Sequence, residues 1–267
     1  MTVATGDPFA YGDACLLYDV KGRRYLIELE HDREFHSHRG LLAHADIVGS
    51  PEGARFETTR GSELTVLRPR LADYVLKMGR AATVLYPKDA GAILMWADIG
   101  PGTIVLEAGT GSGGLAMVLA RAVLPGGRVV SVERRGDHAA VARKRIAGFF
   151  GDIPEHLDLR VGEVADVIAD VRPDRIVLDV PEPWRIVDLA AEHLPGGGIF
   201  ACYLPNVPQV ERVRQAIEGT GTFLEVATFE VMMRDWVIDG RSVRPSHRMV
   251  GHTGFVTVAR RALLADI

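Results

Sequence analysis

The sequence has few cysteines and no long apolar run. Its 267 residues include only Cys15 and Cys202, which are far apart and lack the spacing of a metal site. This pattern excludes a disulfide framework and favours a reducing compartment. No segment approaches the ~18 consecutive apolar residues that a membrane-spanning helix needs, and no basic region precedes an apolar one, so we predict no signal peptide. We therefore expect a cytoplasmic protein without a membrane partner.

The sequence also lacks a net positive charge. The formal net charge is −4, which is unlike the strongly basic balance of many nucleic-acid binders. The basic residues are nevertheless 27 arginines and only four lysines, and arginine favours bidentate contacts with phosphate. Segments 55–80 and 234–261 have local charges of +3 and +4. Charge alone leaves open whether these segments bind an anionic polymer or form an ordinary solvated surface.

The pattern of apolar residues divides the chain into two predicted domains. Residues 1–66 contain short strand signals and no long helical period, which predicts a small N-terminal β domain. Residues 67–267 form the second predicted domain, and it begins with helical patterns at 71–78 and 90–96. We expect Asp89 to cap the second of these helices.

From residue 103 onward, strand and helix signals alternate, which predicts a doubly wound parallel sheet. The last two strand signals, 223–231 and 254–260, have no helix between them and predict an antiparallel pair. The fold class is therefore α/β, with a Rossmann-like sheet and a C-terminal antiparallel strand pair. The other predicted strands are 104–106, 128–132, 157–161, 175–178 and 199–204, and the predicted helices are 137–150, 186–193 and 207–217.

The most informative segment is 103–115, which reads TIVLEAGTGSGGL. An apolar strand leads into a glycine loop, and apolar residues at helical spacing follow the loop. Glycine allows a sharp turn with positive φ and lets a ligand approach the backbone N–H groups. This context favours a cofactor site, and a purely structural turn is the alternative.

Acidic residues end four of the predicted strands, where ligands of open α/β sheets bind. They are Glu107, Glu133, Glu163 and Asp179. Glu133 lies twenty residues after Gly113, a spacing at which a carboxylate can accept hydrogen bonds from both hydroxyls of a ribose.

These features leave two cofactor choices, namely a dinucleotide such as NAD and S-adenosylmethionine. The loop differs from the dinucleotide pattern, and Glu107 directly precedes it. A carboxylate there disfavours a pyrophosphate but can pair with the cationic end of a methionine moiety. We therefore prefer S-adenosylmethionine and keep NAD as the alternative.

Two further segments bear on the chemistry. In DVPEPW, residues 179–184, two prolines stiffen the backbone beside Asp179, as in the loop by which amino-methyltransferases hold a target nitrogen. A polar turn is the alternative. In residues 31–44, the four histidines are His31, His36, His38 and His44. No cysteine lies nearby, so we favour a structural or interface role over a metal site and predict no metal.

Several motifs together resemble the prokaryotic tRNA adenine-N1 methyltransferases that modify position 58 in the T loop. The resemblance spans nearly the whole chain, and the segment rich in histidine and the C-terminal segment are its most specific parts. The motifs are VLEAGTGSGGL at 105–115, DVPEPW at 179–184, YPKDA at 86–90, FHSHRGLLAHADIVG at 35–49 and RPSHRMVGHTGFV at 244–256.

The resemblance implies S-adenosylmethionine as the cofactor and assigns roles to individual residues. Asp179 matches the family's catalytic aspartate, and Tyr86 and Tyr203 match its two active-site tyrosines. Glu163 stands where many relatives have Asp, and Thr83 stands where a glutamine or another polar residue is expected. The implied cofactor contacts are Glu107, Gly109, Gly111, Ser112, Gly113, Gly114, Leu115, Glu133, His138, Glu163 and Asp179.

The resemblance also implies tRNA as a partner and a homotetramer of the chain. We expect Arg244, His247 and Arg248 to hold tRNA phosphates, and Asp179 to orient an extruded adenine for attack by N1. The alternatives are an S-adenosylmethionine-dependent enzyme acting on another RNA position or a small molecule, and a non-catalytic RNA-binding subunit.

Overall fold

A computed structural model describes residues 6–79 and 84–263 of the chain. The chain divides into two compact units. The small unit comprises Met1–Ala81 and Ala140–Pro154, and the large unit comprises Ala82–Ala139 and Glu155–Ile267. The domain boundary that we place after residue 66 stays a prediction.

The small unit is built around a four-stranded antiparallel sheet in the order β2-β1-β6-β5, and β3 and β4 pair separately as a hairpin. Alternating apolar side chains of these strands bury a core that includes Leu17, Leu42 and Val66. The strands are β1 (Ala14–Asp19), β2 (Arg24–Glu28), β3 (Glu34–Ser37), β4 (Gly40–Ala43), β5 (Arg55–Glu57) and β6 (Glu63–Leu67), and the helices are α1 (His44–Ile47) and α2 (Leu71–Lys77).

The large unit contains a seven-stranded sheet in the order β12-β15-β11-β10-β7-β8-β9. Its helices are α3 (Pro87–Trp96), α4 (Gly114–Ala122), α6 (Ile168–Val171), α7 (Val187–His193) and α8 (Val207–Thr220). Helix α5 (Gly136–Phe150) begins in the large unit, and its residues from Ala140 onward belong to the small unit. The strands of the large unit are β7 (Ile104–Ala108), β8 (Arg128–Glu133), β9 (Leu157–Val161), β10 (Arg175–Leu178), β11 (Ile199–Leu204), β12 (Phe223–Glu230), β13 (Trp236–Asp239), β14 (Ser242–Pro245) and β15 (Phe255–Arg261).

The topology of the sheet determines where a ligand can bind. Strands β9, β8, β7, β10 and β11 are parallel, and β15 runs antiparallel to both β11 and β12. From β7 the chain proceeds outward through β8 and β9, and it then returns to the other side of β7 to form β10. The switch point between β7 and β10 opens a crevice at the carboxyl ends of these strands. The predicted fold class is confirmed.

Three local predictions for the large unit were wrong or incomplete. Helix α3 begins at Pro87, with Tyr86 at its N-cap, so Asp89 lies inside the first turn and does not cap the helix. The β13–β14 hairpin interrupts the region where only two long strands were expected. Helical turns at Val164–Asp166 and Pro183–Ile186 were also missed, because so few residues carry no readable period.

The sheet of the large unit is buried on both faces. Its central strands are continuous apolar runs, and residues such as Leu106, Ile176 and Phe200 are fully buried. Such runs are typical of parallel strands covered by helices. Within the part of the chain that the structure describes, no helix has the length and apolar character needed to cross a membrane.

Candidate active site

The glycine loop connects β7 to α4 at the topological switch point. Gly109 has φ 91° and Gly113 has φ 84°, both in the left-handed region that glycine adopts without strain. A side chain at position 109 would also collide with the backbone carbonyl of Asp179. The glycines therefore allow the loop after β7 to lie directly against the end of β10.

Three N–H groups of this loop, those of Gly109, Gly111 and Gly113, donate hydrogen bonds within the protein. The N–H of Gly109 donates to the Val132 carbonyl at 2.9 Å, and that of Gly111 donates to the Glu133 carboxylate at 2.9 Å. The N–H of Gly113 donates to the carbonyl of Thr110 at 2.7 Å. These three donors do not form the open cradle of a phosphate-binding loop, which disfavours the dinucleotide alternative.

Glu107 is a fully buried carboxylate at the end of β7. Among the described residues, neither of its oxygens has a hydrogen-bond partner, and the nearby Ser131 hydroxyl is bonded to the Thr110 hydroxyl at 2.6 Å. Burial is the largest cause that raises the pKa of Glu107 to about 8. Ser131 acts to lower this pKa, but the charges of Asp179 and Glu133 act to raise it. Because an isolated buried charge is strongly disfavoured, such an acid fits a site that a cationic ligand completes.

Glu133 lies at the end of the neighbouring strand and is 8% exposed. One carboxylate oxygen accepts from the N–H of Gly111 at 2.9 Å, and the other accepts from the N–H of Arg135 at 3.0 Å. Each oxygen retains a second lone pair. The side chain is therefore held in one orientation and can still accept hydrogen bonds from a diol.

Asp179 directly follows β10, and its N–H donates to the Ala108 carbonyl at 2.9 Å. The surrounding protein desolvates the carboxyl group and raises its pKa to about 7. The rest of the proline loop is fixed from α8, because the Gln209 side chain donates to the Pro181 carbonyl at 2.8 Å. Asp179 therefore lies beside the glycine loop, at the start of a proline loop that Gln209 holds in place.

Tyr203 lies on β11, where burial is the largest cause that raises the pKa of its phenol to about 12. Thr253 acts to lower this pKa, and the charges of Asp89 and Asp179 act to raise it. A side chain at position 254 would overlap the Tyr203 ring. Gly254 therefore admits the ring, which remains a neutral phenol at physiological pH.

A buried polar network lies next to Tyr203. The Lys88 ammonium donates to the Asp89 carboxylate at 2.8 Å, to the Val231 carbonyl at 2.6 Å and to the Thr253 hydroxyl at 2.5 Å. The Thr253 hydroxyl donates to the other Asp89 oxygen at 2.8 Å. All three ammonium protons and both carboxylate oxygens are thereby satisfied.

Sequence reasoning missed this network, although its members lie in segments that carry the resemblance. Lys88 and Asp89 belong to YPKDA, and Thr253 belongs to the C-terminal segment. The neighbouring His252 joins the Glu230 carboxylate at 2.9 Å and the Pro205 carbonyl at 3.0 Å. The sequence offers no signal for this contact, because Lys88 and Thr253 are 165 residues apart in the chain.

The structure places the other predicted cofactor residues at different depths. Ser112 is buried in the glycine loop, and Leu115 is buried in the first turn of α4, which begins at Gly114. His138 is half-buried near the start of α5. Glu163 is exposed after β9, and its carboxylate lies 3.9 Å from the Arg134 guanidinium.

The residues predicted to contact substrate lie on different elements of the large unit. Tyr86 is half-buried at the N-cap of α3, and its carbonyl accepts from the N–H groups of Asp89 and Ala90. Arg244 lies on β14, whereas His247 and Arg248 are exposed in the segment that follows. Thr83 lies outside the described residues. Within the described ranges, no group of three His, Cys, Asp or Glu side chains could hold a metal ion.

The fold and this site define a class of protein. A parallel sheet with a C-terminal antiparallel strand, a glycine loop after the central strand β7, and buried acids at the switch point are typical of Rossmann-like S-adenosylmethionine-dependent methyltransferases. A family described as "tRNA methyltransferase complex GCD14 subunit" matches residues 65–243, and one described as "TrmI-like N-terminal" matches residues 8–55.

Relatives of known function are also tRNA methyltransferases. The chain is 38% identical over 253 residues to the tRNA (adenine(58)-N(1))-methyltransferase TrmI of a Thermus thermophilus strain, covering 94% of this chain and 98% of the relative. It is 34% identical to the tRNA (adenine(57)-N(1)/adenine(58)-N(1))-methyltransferase TrmI of Methanocaldococcus jannaschii, covering 94% and 95%. The chain therefore belongs to the GCD14/TrmI family of tRNA methyltransferases.

Two crystal structures resemble the whole chain. One is a SAM-dependent O-methyltransferase from Thermotoga maritima, with 30% identity, a TM-score of 0.91 and coverage of 98% of this chain and 97% of that one. The other is the tRNA (m1A58) methyltransferase TrmI from Aquifex aeolicus, with 24% identity, a TM-score of 0.83 and coverage of 97% and 100%. The second likeness supports the fold alone.

Proposed function

We propose that the protein transfers a methyl group from S-adenosylmethionine to N1 of adenine 58 in the T loop of tRNA. The observation that carries the proposal is the position of Asp179 at the switch point, between the glycine loop and a braced proline loop. The names of the relatives from Thermus and Methanocaldococcus specify the same nucleotide and atom.

The buried acids fit the cofactor. Glu107, which has no partner among the described residues, would face the methionine ammonium, and Glu133 would accept hydrogen bonds from the ribose hydroxyls. Bound S-adenosylmethionine supplies an electrophilic methyl group on a sulfonium. The remaining contacts would come from Gly109, Gly111, Ser112, Gly113, Gly114, Leu115, His138, Glu163 and Asp179.

Asp179 orients the acceptor base. N1 of adenine has its own lone pair, so methyl transfer does not require prior removal of a proton. The ionised carboxylate would accept a hydrogen bond from the exocyclic N6 amine and stabilise the positive charge that develops on the ring. Because the pKa of Asp179 is about 7, this role requires a pH near or above neutrality.

The base must leave the folded tRNA to reach this cleft, because N1 is on its Watson–Crick edge. Tyr86 and Tyr203 would form the walls of the pocket by stacking or hydrogen bonding. The raised pKa of Tyr203 keeps its hydroxyl protonated, so it can donate a hydrogen bond. The nearby network of Lys88, Asp89 and Thr253 would hold Tyr203 in place.

The hairpin and the segment after it would serve tRNA binding and assembly. Arg244, His247 and Arg248 would contact phosphates, with neighbouring subunits of a homotetramer contributing to the same tRNA. Trp236 and Ile238 on β13 are 61% and 76% exposed, and exposed apolar side chains of this size are typical of a subunit interface. Action on tRNA before translation fits a cytoplasmic location.

A second function is supported by one observation. The similar structure from Thermotoga maritima is described as an O-methyltransferase. A hydroxyl acceptor must lose its proton, and a carboxyl group with a pKa of about 7 can act as the general base. A non-catalytic RNA-binding subunit is disfavoured, because Glu107, Glu133 and Asp179 are all retained.

Methylation of an unmodified tRNA transcript tests the proposal. We expect labelled methyl groups from S-adenosylmethionine to be incorporated at a single adenine, mapped as N1-methyladenine at position 58. A transcript with guanine at position 58 is the matched control and should accept no label. Equal labelling of the control, or transfer only to small hydroxyl compounds, would contradict the proposed acceptor.

A further inference from the structure

Three turns of the small unit meet at one place and each contributes a basic side chain. Arg23 lies in the turn between β1 and β2, Arg39 in the turn between β3 and β4, and Arg60 in the turn between β5 and β6. The Arg23 guanidinium lies 3.4 Å from the Nε2 atom of His38, and the Arg60 guanidinium donates to the His38 carbonyl at 3.2 Å. We name Arg23, His38, Arg39 and Arg60 the turn cluster.

The turns are held together by direct contacts. The Thr58 hydroxyl donates to the Arg39 carbonyl at 2.6 Å, and the N–H of Thr59 donates to the Leu41 carbonyl at 3.0 Å. Gly40 has φ 111°, and a side chain there would come within 2.8 Å of the backbone nitrogen of Arg60. The positions of these turns are therefore fixed by hydrogen bonds that involve their backbones.

The arginines of the turn cluster differ from the others in residues 6–79. Five others form ion pairs with carboxylates: Arg24 and Arg70 with Asp73, Arg33 with Glu30, Arg55 with Glu63, and Arg68 with Asp13. Within the described residues, no carboxylate lies within 4.0 Å of the guanidinium of Arg23, Arg39 or Arg60. Their charges remain available to an external anion.

One acid lies beneath the cluster. Asp19 is buried, and one of its oxygens accepts from the N–H groups of Lys21 and Arg23 at 2.8 and 2.9 Å. Burial acts to raise its pKa, yet these donors and the charges of Arg39 and Arg23 lower the pKa below its ordinary value. The exposed Lys21 adds a positive charge, and the exposed Glu57, whose carboxylate lies beside Gly61 in the turn of Arg60, adds a negative one. The three arginines and Lys21 still exceed Asp19 and Glu57, so the surface has a positive excess.

We propose that the turn cluster binds phosphates of the tRNA backbone, as an RNA contact surface on the small unit. The inference rests on the proposed function, because that function supplies the polyanion. Guanidinium groups from separate turns suit adjacent phosphates of a folded RNA, which arginine contacts bidentately. The contact is independent of base sequence, so it serves affinity and orientation and not the choice of nucleotide.

Paired charge-removal variants test this surface. In Arg23→Gln/Arg60→Gln we expect the affinity for unmodified tRNA, measured by fluorescence anisotropy, to fall about tenfold. The slope of log affinity against log salt should decrease by about 1.5. Calorimetric affinity for S-adenosylhomocysteine should be unchanged. The matched control is Arg33→Gln/Arg55→Gln, whose side chains are both 69% exposed but ion-paired, and it should retain most of the tRNA affinity.

A second variant separates charge from folding of the turns. Arg23→Lys/Arg60→Lys keeps both charges and should retain most of the salt dependence. Equal losses in the cluster variant and the matched control would overturn the proposal, because they would indicate general attraction to a charged surface. Unchanged tRNA affinity with an altered molecular mass in sedimentation would also overturn it, in favour of a protein contact. Salt-dependent tRNA binding without methylation of adenine 58 would instead contradict the proposed function alone.

Discussion

Two fully buried carboxylates in the large unit have opposite surroundings. Asp89 in α3 is paired with the Lys88 ammonium at 2.8 Å and accepts from the Thr253 hydroxyl at 2.8 Å. Glu107 at the end of β7 has no partner among the described residues, and its pKa is raised to about 8. A carboxylate that the protein has neutralised is structural, whereas one left unpaired at a ligand crevice indicates what the ligand must supply.

The comparison also divides the crevice into two halves. The half formed by β7 and β8 presents Glu107 and Glu133, which suits a cofactor with a cationic end and a ribose. The other half is formed by α3, β10 and β11 and contains Asp179, and we expect Tyr86 and Tyr203 to lie there. The nearby charges of Lys88 and Asp89 already compensate each other. We therefore expect the first half to bind a cationic group and the second half to bind a neutral base that acquires charge during the reaction.

The largest effect is expected at Asp179, the carboxylate that we propose orients the acceptor base. In Asp179→Ala we expect kcat for tRNA methylation to fall by about 10²–10³-fold, because orientation and charge stabilisation are lost together. The calorimetric affinity for S-adenosylhomocysteine should change by less than about tenfold. Full methylation activity with normal cofactor affinity would show that the assigned role is wrong.

Removal of the lysine should break the paired carboxylate. In Lys88→Met we expect the free energy of unfolding to fall by about 3–5 kcal/mol, because Asp89 keeps a buried charge without its counter-ion. The matched variant Lys88→Met/Asp89→Asn removes both charges and should recover part of this loss. Denaturant titrations measure both changes. If the double variant were no more stable than the single one, the ion pair would not be the stabilising element.

Removal of the unpaired carboxylate should have a smaller effect of the opposite sign. The pKa of Glu107 is raised in the folded state, so the folded protein binds more protons than the unfolded chain between about pH 4.5 and 8. Stability without cofactor should therefore fall as pH rises through that window. In Glu107→Gln this fall should be reduced, and stability at pH 8 should increase by on the order of 1–3 kcal/mol.

Denaturant titrations at pH 5 and pH 8 measure this difference. Asp179 contributes with the same sign, because its pKa is also raised, but it is present in both proteins. The difference between the wild type and Glu107→Gln therefore reports the titration of Glu107 together with its coupling to Asp179 and Glu133. If stability depended on pH in the same way in both proteins, the pKa of Glu107 would not be raised in the folded state.

The half of the crevice formed by β7 and β8 could be predicted from sequence, because its residues lie close together in the chain. One strand, one glycine loop and the acids at consecutive strand ends specify the sheet and the positions of Glu107, Glu133 and Asp179. The roles of these residues stay predictions, and so do those of His138, Glu163 and the tyrosines.

The other half depends on contacts between distant segments. Lys88 and Thr253 are brought together only by the folded sheet, and no period or spacing indicates their contact. The β13–β14 hairpin was missed although Gly240, which follows Asp239 and has φ 54° in the tight turn, offered a signal. The turn cluster was also hidden, because it requires three hairpin turns to be placed side by side.

The central claim is that the unpaired carboxylate of Glu107 binds the cationic end of the cofactor. Calorimetric titration of the wild type and Glu107→Gln tests this claim most directly. We expect S-adenosylmethionine and S-adenosylhomocysteine to bind the wild type, and NADH not to bind. The affinity of Glu107→Gln for both adenosyl ligands should fall about 10- to 100-fold, which corresponds to about 1.4–2.8 kcal/mol. Binding of NADH alone, or unchanged affinity in Glu107→Gln, would contradict the account.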